Sequence, residues 1–352
     1  MQHRYIAIMA GGVGSRFWPA STTERPKQFL DILGVGKSLL RMTFERATQL
    51  VDPDHILVMT NKRYKHLVQA QIPEIPEANI LCEPSMNNTA PCIAYTALRL
   101  QAMDSEAVFA VLPSDHVILH EAEYIRLLDV AFKEAANNDV LMTLGIAPTR
   151  PDTGYGYMQY RREQDSGGDI CKVLSFKEKP DILTAEAYLR AGDYVWNAGM
   201  FIWSVTSILE AFTNFAPEIL EVLTRDISCF NTDREQACID AVYPLTRNIS
   251  IDYAIIERAD NVFTLPADIG WSDLGTWNSL HAYLAVNDDK VTIGNHIYLD
   301  DCKDIIVMSN NEKQVVIKGL EDYIIIDEDK ALLIYPKSDE QEIKQVVNSL
   351  KV

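Results

Sequence analysis

Short apolar runs alternate with amphipathic stretches along roughly the first 150 residues. Residues 5–9, 55–60, 107–112 and 140–145 are apolar runs of strand length. Between them, residues 64–71, 89–103 and 121–137 carry apolar positions at helical spacing. Asn88 is placed to cap the second of these helices, and Pro91 fits its first turn. Strands and helices in this order predict an α/β fold, a mixed but mostly parallel sheet with helices on both faces. Such sheets take ligands beyond the C-terminal ends of their strands.

Past residue 150 the alternation loosens. Residues 157–161, 173–176 and 200–203 read as strands, and 184–191, 207–212, 217–223 and 234–242 as helices. They suit an insertion that adds a substrate-binding half. The tail changes again: apolar clusters at 305–307, 315–317, 324–326 and 332–334 recur every eight to ten residues, separated by turn formers. That spacing predicts a stack of short strands, closed by a helix over 340–350. The polar stretch Asn287-Asp288-Asp289 divides a larger domain, 1–287, from a small one, 288–352.

Composition adds limits. The chain has 352 residues, 47% hydrophobic and 23% charged, ordinary for a globular protein. No run approaches a membrane-spanning length, and the N-terminus lacks the features of a signal peptide. Six cysteines stand without a C-x-x-C pair and read as reduced, mostly buried thiols of a cytoplasmic protein. A net charge of −18 argues against nucleic acid as a partner. If the ligand is a nucleotide, this field repels it and local cations and a metal ion must offset it. Arg16, Arg25 and Lys27 cluster early enough to do so. Alternatively the acidity simply keeps a solvated surface soluble.

Directly after the first strand comes Ala10-Gly11-Gly12-Val13-Gly14-Ser15-Arg16-Phe17-Trp18-Pro19, then Pro26-Lys27-Gln28-Phe29. Glycines after a strand let backbone N–H groups approach a phosphate, and Arg16 and Lys27 bring two cations. The dinucleotide fingerprint fails because Phe17 stands where its third glycine should be. A Walker loop ending in Gly36-Lys37-Ser38 fails because Asp31 holds its first glycine position. A plain chain reversal remains the alternative to a phosphate cradle.

Asp115, in Pro113-Ser114-Asp115-His116, follows the strand at 107–112, where it either ligates a hard cation or caps the next turn. Asp273 sits in Gly270-Trp271-Ser272-Asp273-Leu274-Gly275, ahead of a helix starting near Thr276, and offers a second carboxylate. Glu178 and Lys179 end another strand as a sugar and phosphate contact or as a solvated charged turn. Gly154 and Gly156 allow close backbone approach, and Asn197 offers both a donor and an acceptor. The segment 83–91 sets Glu83, Asn88 and Thr89 at a helix start, for reading a base or ribose or merely as a cap.

Taken in order, these motifs closely resemble the mannose-1-phosphate guanylyltransferases, or GDP-mannose pyrophosphorylases, of the sugar nucleotidyltransferase superfamily. The likeness covers nearly the whole chain. It implies a Rossmann-like nucleotidyltransferase domain and a small C-terminal left-handed β-helix domain. It also implies a reaction in which GTP and α-D-mannose 1-phosphate give GDP-mannose and diphosphate. By resemblance, Ala10, Gly11, Gly12, Gly14 and Ser15 hold the nucleotide, with Glu83, Asn88, Thr89, Pro113 and Ser114 in the nucleoside pocket. Arg16 and Lys27 serve the phosphates catalytically. Gly156, Glu178, Lys179 and Asn197 bind the sugar phosphate, and Asp115 and Asp273 hold Mg2+.

The attacking phosphate is already an anion, so positioning and charge neutralisation replace a general base. Asn87 stands where many relatives have Arg or Lys, which leaves one phosphate or base contact open. Bifunctional relatives add an isomerase domain, and this chain leaves no room for it, so isomerase activity is not expected. The rival readings are another hexose 1-phosphate and a non-catalytic subunit that senses GDP-mannose. The strand-rich tail has edges able to pair with a second copy as a homodimer.

Overall fold

A computed structural model describes residues 3–162, 169–285, 288–309 and 312–350. In chain order the elements are β1 (Arg4–Ala10), α1 (Leu39–Ala47), β2 (Ile56–Asn61), α2 (Lys65–Gln71), β3 (Ile80–Glu83), α3 (Thr89–Met103), β4 (Val108–Pro113), α4 (Glu121–Asn137) and β5 (Leu141–Ile146). There follow β6 (Tyr157–Arg162), β7 (Cys171–Lys177), α5 (Ile182–Ala191), β8 (Tyr194–Ser204), α6 (Val205–Phe215), α7 (Pro217–Leu223), α8 (Glu235–Val242) and β9 (Val262–Ala267). The last are α9 (Trp277–Leu284), β10 (Lys290–Gly294), β11 (Ile297–Asp300), β12 (Ile305–Ser309), β13 (Val315–Lys318), β14 (Tyr323–Asp327), β15 (Leu332–Pro336) and α10 (Ile343–Ser349). The chain forms two compact units. One comprises Met1–Gly11, Phe44–Pro113 and Ile118–Trp271, the other Gly12–Thr43, Ser114–Val117 and Ser272–Val352. The expected division at 287/288 falls on Asn287, outside the described residues.

The first unit holds a nine-stranded sheet in the order β3-β2-β1-β4-β8-β5-β9-β7-β6. β2, β1 and β4 run parallel, as the strand–helix alternation predicts, and β3, a short strand that the sequence reading did not assign, adds parallel to β2. β8 then enters between β4 and β5, antiparallel to both, and β7 lies antiparallel to β6 and β9. Alternate residues of the parallel strands, Tyr5 and Ala7, Leu57 and Met59, Phe109 and Val111, share one core with α3 and α6. Ile6 and Ile8 are fully buried as well. Both faces of β1 are therefore covered, which explains its uninterrupted apolar run.

In the second unit the tail strands alternate between two small sheets. β10, β12 and β14 pair in parallel in one, and β11 and β13 in the other. β15 returns antiparallel beside β14. One coil therefore contributes two strands, which accounts for the eight-to-ten-residue recurrence. Ile305, Val307 and Ile325 face a core inside the coils. Ile306, Met308, Ile324 and Ile326 point the other way, into a second core with Phe17, Leu30, Ile32, Leu274 and Trp277.

Candidate active site

In the second unit the glycine loop is shaped by one lysine. Gly12 and Gly14 adopt φ of +84° and +67°, which favours glycine. A Cβ on Gly14 would stand 2.6 Å from the Cβ of Lys27. Around Gly12 a Cβ would meet nothing, so there the backbone is open to a ligand. Lys27 N–H donates to the Val13 carbonyl at 3.4 Å, and Gln28 Nε2 donates to the Gly12 carbonyl at 3.2 Å. Gln28 thus pins the loop, a role the sequence reading did not assign. Ser15 and Arg16 form the following turn, whose Phe17 is buried against Trp277 while Arg16 stays exposed.

Lys27 itself is buried, with 5% of its side chain accessible. Its ammonium donates to Asp115 Oδ2 at 2.8 Å and to the carbonyls of Asp273 and Leu274 at 2.9 and 3.0 Å. An ammonium has three donors, so all three are used. The two aspartate loops are held together by a reciprocal pair of backbone hydrogen bonds between Val117 and Ser272, at 2.9 and 3.1 Å. Residues far apart in the chain are thereby joined at one cation. Burial would raise the Asp115 carboxyl, but the Lys27 ammonium and His116 outweigh it and hold it below its ordinary range. Leu274, next to Asp273, has φ +43°, a strained setting for a branched residue.

Nucleotidyltransferases generally use a divalent metal ion. Among the described residues, no group of three or more His, Cys, Asp and Glu side chains gathers as ligands. The Asp115 carboxylate and the backbone carbonyls of Asp273 and Leu274 converge on the Lys27 charge, which makes this an oxygen-lined place for positive charge, whereas the Asp273 carboxylate accepts instead from Gly275 N–H at 3.2 Å. Ser114 lies buried beside them, its carbonyl accepting from Thr43 Oγ1 at 3.4 Å.

In the first unit, Ala10, Glu83 and Pro113 occupy the C-terminal ends of β1, β3 and β4, within the parallel half of the sheet. Glu83 is buried and accepts a hydrogen bond from Tyr243 Oη. Desolvation pushes its carboxyl up to about 7, against the opposing hydrogen bonds from Tyr243 and Cys92. Asn88, at φ 68°, accepts from Thr89 N–H at 2.9 Å as the helix cap that the sequence suggested. Asn87 is buried, and its Nδ2 donates to the carbonyls of Tyr243 and Thr246, each at 3.1 Å. Asn87, expected from the resemblance to leave a phosphate or base contact open, instead ties down a loop.

The residues expected from the resemblance to bind the sugar phosphate also meet in this unit. The Gly156 carbonyl accepts from Asn197 N–H at 2.8 Å, and a Cβ on Gly156 would stand 2.5 Å from Glu178 Oε2. Glu178 pairs with Lys179 at 2.9 Å, which raises the lysine further. Lys179 adopts φ +47°, and its N–H donates to the Tyr155 carbonyl at 3.2 Å. Asn197 lies within β8, which starts six residues earlier than the strand predicted at 200–203. A cleft of about 730 Å³ elsewhere in this unit, lined by His3, Lys133 and Asn137, contains none of these residues.

Sequence reasoning missed the segment 243–252. Tyr243 and Thr246 hold Glu83 and Asn87, Ile249 and Ile251 bond to the start of α3, and Asp252 bonds to Asn197. The only signal was Asp252 itself, a lone carboxylate between Ile251 and Tyr253.

The sequence matches the family described as Nucleotidyl transferase over residues 6–290 and the MannoseP isomerase/GMP-like beta-helix domain over 294–350. It is 36% identical to mannose-1-phosphate guanylyltransferase RfbM of Salmonella typhimurium, covering 98% of this chain and 72% of that protein. The mannose-1-phosphate guanylyltransferase of Escherichia coli K12 is 32% identical over 99% of this chain and 73% of its own length. A solved structure from Thermus thermophilus, described as a mannose-1-phosphate geranyltransferase, aligns with a TM-score of 0.89 at 29% identity, over 99% of this chain and 100% of that one. Among the described residues, no helix is long and apolar enough to cross a membrane.

Proposed function

The chain belongs to the mannose-1-phosphate guanylyltransferases of the nucleotidyl transferase family, enzymes of GDP-mannose synthesis, and on that premise we propose how its residues divide the work. A phosphate oxygen of mannose 1-phosphate attacks the α-phosphorus of GTP in line. The bond to the β-phosphate oxygen breaks and diphosphate leaves. Ala10, Gly11, Gly12, Gly14 and Ser15 carry the nucleotide phosphates and base, with Glu83, Asn88, Thr89, Pro113 and Ser114 around the nucleoside. Gly156, Glu178, Lys179 and Asn197 receive mannose 1-phosphate. Lys27 exchanges its Asp115 partner for phosphate oxygens as GTP arrives, and Arg16 neutralises charge on the departing diphosphate. Asp115 and Asp273 would hold Mg2+, which supplies charge neutralisation at the α-phosphate when bound.

The observation that carries this reading is the buried Lys27 ammonium held by Asp115 and the Asp273 carbonyl. No general base is required, since the nucleophile arrives ionised. Residues 1–287 form the catalytic domain in this reading and 288–352 the β-helix domain. The enzyme works in the cytoplasm, consistent with six cysteines that are not joined in disulfides. We expect a homodimer, supported by Tyr298 and Val316, exposed and directly opposite one another on β11 and β13. Diphosphate release from each nucleoside triphosphate, paired with several sugar 1-phosphates and with Mg2+ or other divalent ions, tests the assignment. Preference for a pair other than GTP and mannose 1-phosphate would overturn it.

A further inference from the structure

Asn197 is fixed in one orientation. Its Oδ1 accepts from Gly199 N–H at 3.1 Å and from Thr143 Oγ1 at 3.3 Å, while its Nδ2 donates to Asp252 Oδ1 at 2.8 Å. A flipped amide would face oxygen with the Asp252 carboxylate and nitrogen with the Gly199 N–H, losing both bonds. The acceptor side is thus occupied by the protein. One Nδ2–H is left to give, so Asn197 presents a donor only, narrower than the donor and acceptor expected from sequence.

Asp252 is held in place in turn. It begins a π-helical turn, Asp252–Ile256, an irregularity frequent at functional sites. The preceding residues are anchored on α3, through Ile251 N–H to Thr89 Oγ1 at 2.8 Å and Ala90 N–H to the Ile249 carbonyl at 3.1 Å. Desolvation and the neighbouring Glu178 carboxylate push Asp252 up to about 6, opposed by a backbone amide, the Ser250 hydroxyl and Lys179. A carboxylate kept at that cost beside Glu178 is not explained by surface solvation.

We propose that Asp252 is a positioning residue for sugar 1-phosphate recognition, fixing the Asn197 amide so that its free N–H faces the ligand as a donor beside the Glu178 acceptor. A hexose hydroxyl both donates and accepts, so adjacent donor and acceptor groups read it in a defined direction. The proposal rests on the reading of Gly156, Glu178, Lys179 and Asn197 as the sugar-phosphate subsite. Asp252 acts through Asn197 and need not touch the reacting atoms.

The test uses full-length Asp252→Ala, Asp252→Asn, Asn197→Ala and the Asp252→Ala/Asn197→Ala double variant. Steady-state constants are measured separately for mannose 1-phosphate and GTP, with thermal melting as a fold control. Loss of a hydrogen bond to a charged group predicts a KM for mannose 1-phosphate raised about tenfold in Asp252→Ala. The KM for GTP should stay within about twofold, a difference too small for a lost hydrogen bond. Asp252→Asn, which keeps an acceptor oxygen, should recover most of the loss, and Asp252→Ala should add nothing in the Asn197→Ala background. Equal effects on both substrates, a melting defect without a KM effect, or additive effects in the double variant would overturn the proposal. If wild type turns over a different sugar 1-phosphate, the substrate reading fails but the same series decides the proposal with that sugar. A wild type inactive with every pair sinks both.

Discussion

The Ile251 N–H donates to Thr89 Oγ1 at 2.8 Å, joining the start of α3 to the segment that carries Asp252. Residues assigned to the nucleoside and to the sugar phosphate thereby lean on the same backbone. Thr89→Val keeps the shape and removes the acceptor, leaving Ile251 N–H unsatisfied at a cost of about 1–3 kcal/mol. Both substrate constants are expected to worsen, with Thr89→Ser close to wild type. A Thr89→Val enzyme with unchanged constants and unchanged denaturation would contradict this coupling.

Lys27→Met removes the charge and keeps most of the stem. Loss of a donor aimed at developing charge typically costs about 10²–10³ in turnover, and a comparable fall is expected here. Asp115 also loses the ammonium that holds its carboxyl low, so its protonation should move upward. Pre-steady-state diphosphate release at saturating substrates measures the first effect. Near-normal turnover would remove Lys27 from catalysis.

Glu83 gives a stability signature in pH. Its folded carboxyl, near 7, lies above the ordinary 4.5, so between these values the folded state binds the extra proton. The favourable contribution is full below about 4.5 and is lost as pH rises through 7. The full shift corresponds to about 3 kcal/mol as an upper bound. Glu83→Gln should therefore gain on wild type in urea denaturation between pH 5 and pH 8. A stability gap that is flat with pH would rule this out.

Two glycines separate binding from folding. Gly156→Ala would drive a methyl to 2.5 Å from Glu178 Oε2 and 2.9 Å from the Phe176 ring, so the KM for sugar phosphate should rise more than that for GTP. Gly294→Ala would place its methyl 1.9 Å from the Ser309 carbonyl at φ +113°. That variant should lower the melting temperature and release β10 from β12, as read by hydrogen exchange. Equal behaviour of the two variants in both assays would contradict the distinction.

Three strands of the parallel half, β1, β2 and β4, were legible because each is an apolar run buried in the sheet, whereas the four-residue edge strand β3, which ends in Cys82 and Glu83, was not read. Residues 89–103 and 121–137 emerged with the bounds expected, for Asn88 caps the first and apolar spacing marks the second. β8 was harder to read. Its first residues, Tyr194 to Asn197, mix polar and aromatic groups, and Asn197 among them bonds to Asp252 instead of filling an apolar core. The glycine loop showed its cations but not why Gly14 is glycine, since its neighbour Lys27 comes thirteen residues later (27 − 14). Asp252 was invisible for a related reason. Its significance lies in Asn197 and Glu178, and a single chain does not state which residues will be neighbours.

The second unit is stitched from three stretches of chain, and Phe17 shares its core with Ile306 and Ile324. On a ribosome, the loop bearing Arg16 and Lys27 emerges among the first residues made. Its packing partners arrive only when the last strands have been synthesised. The nascent protein can thus complete the large sheet while the residues proposed to handle phosphate still lack their support. Translation to the final strands becomes the event that arms the enzyme, so chains halted before β14 should accumulate as folded but inert sheets and not as active fragments.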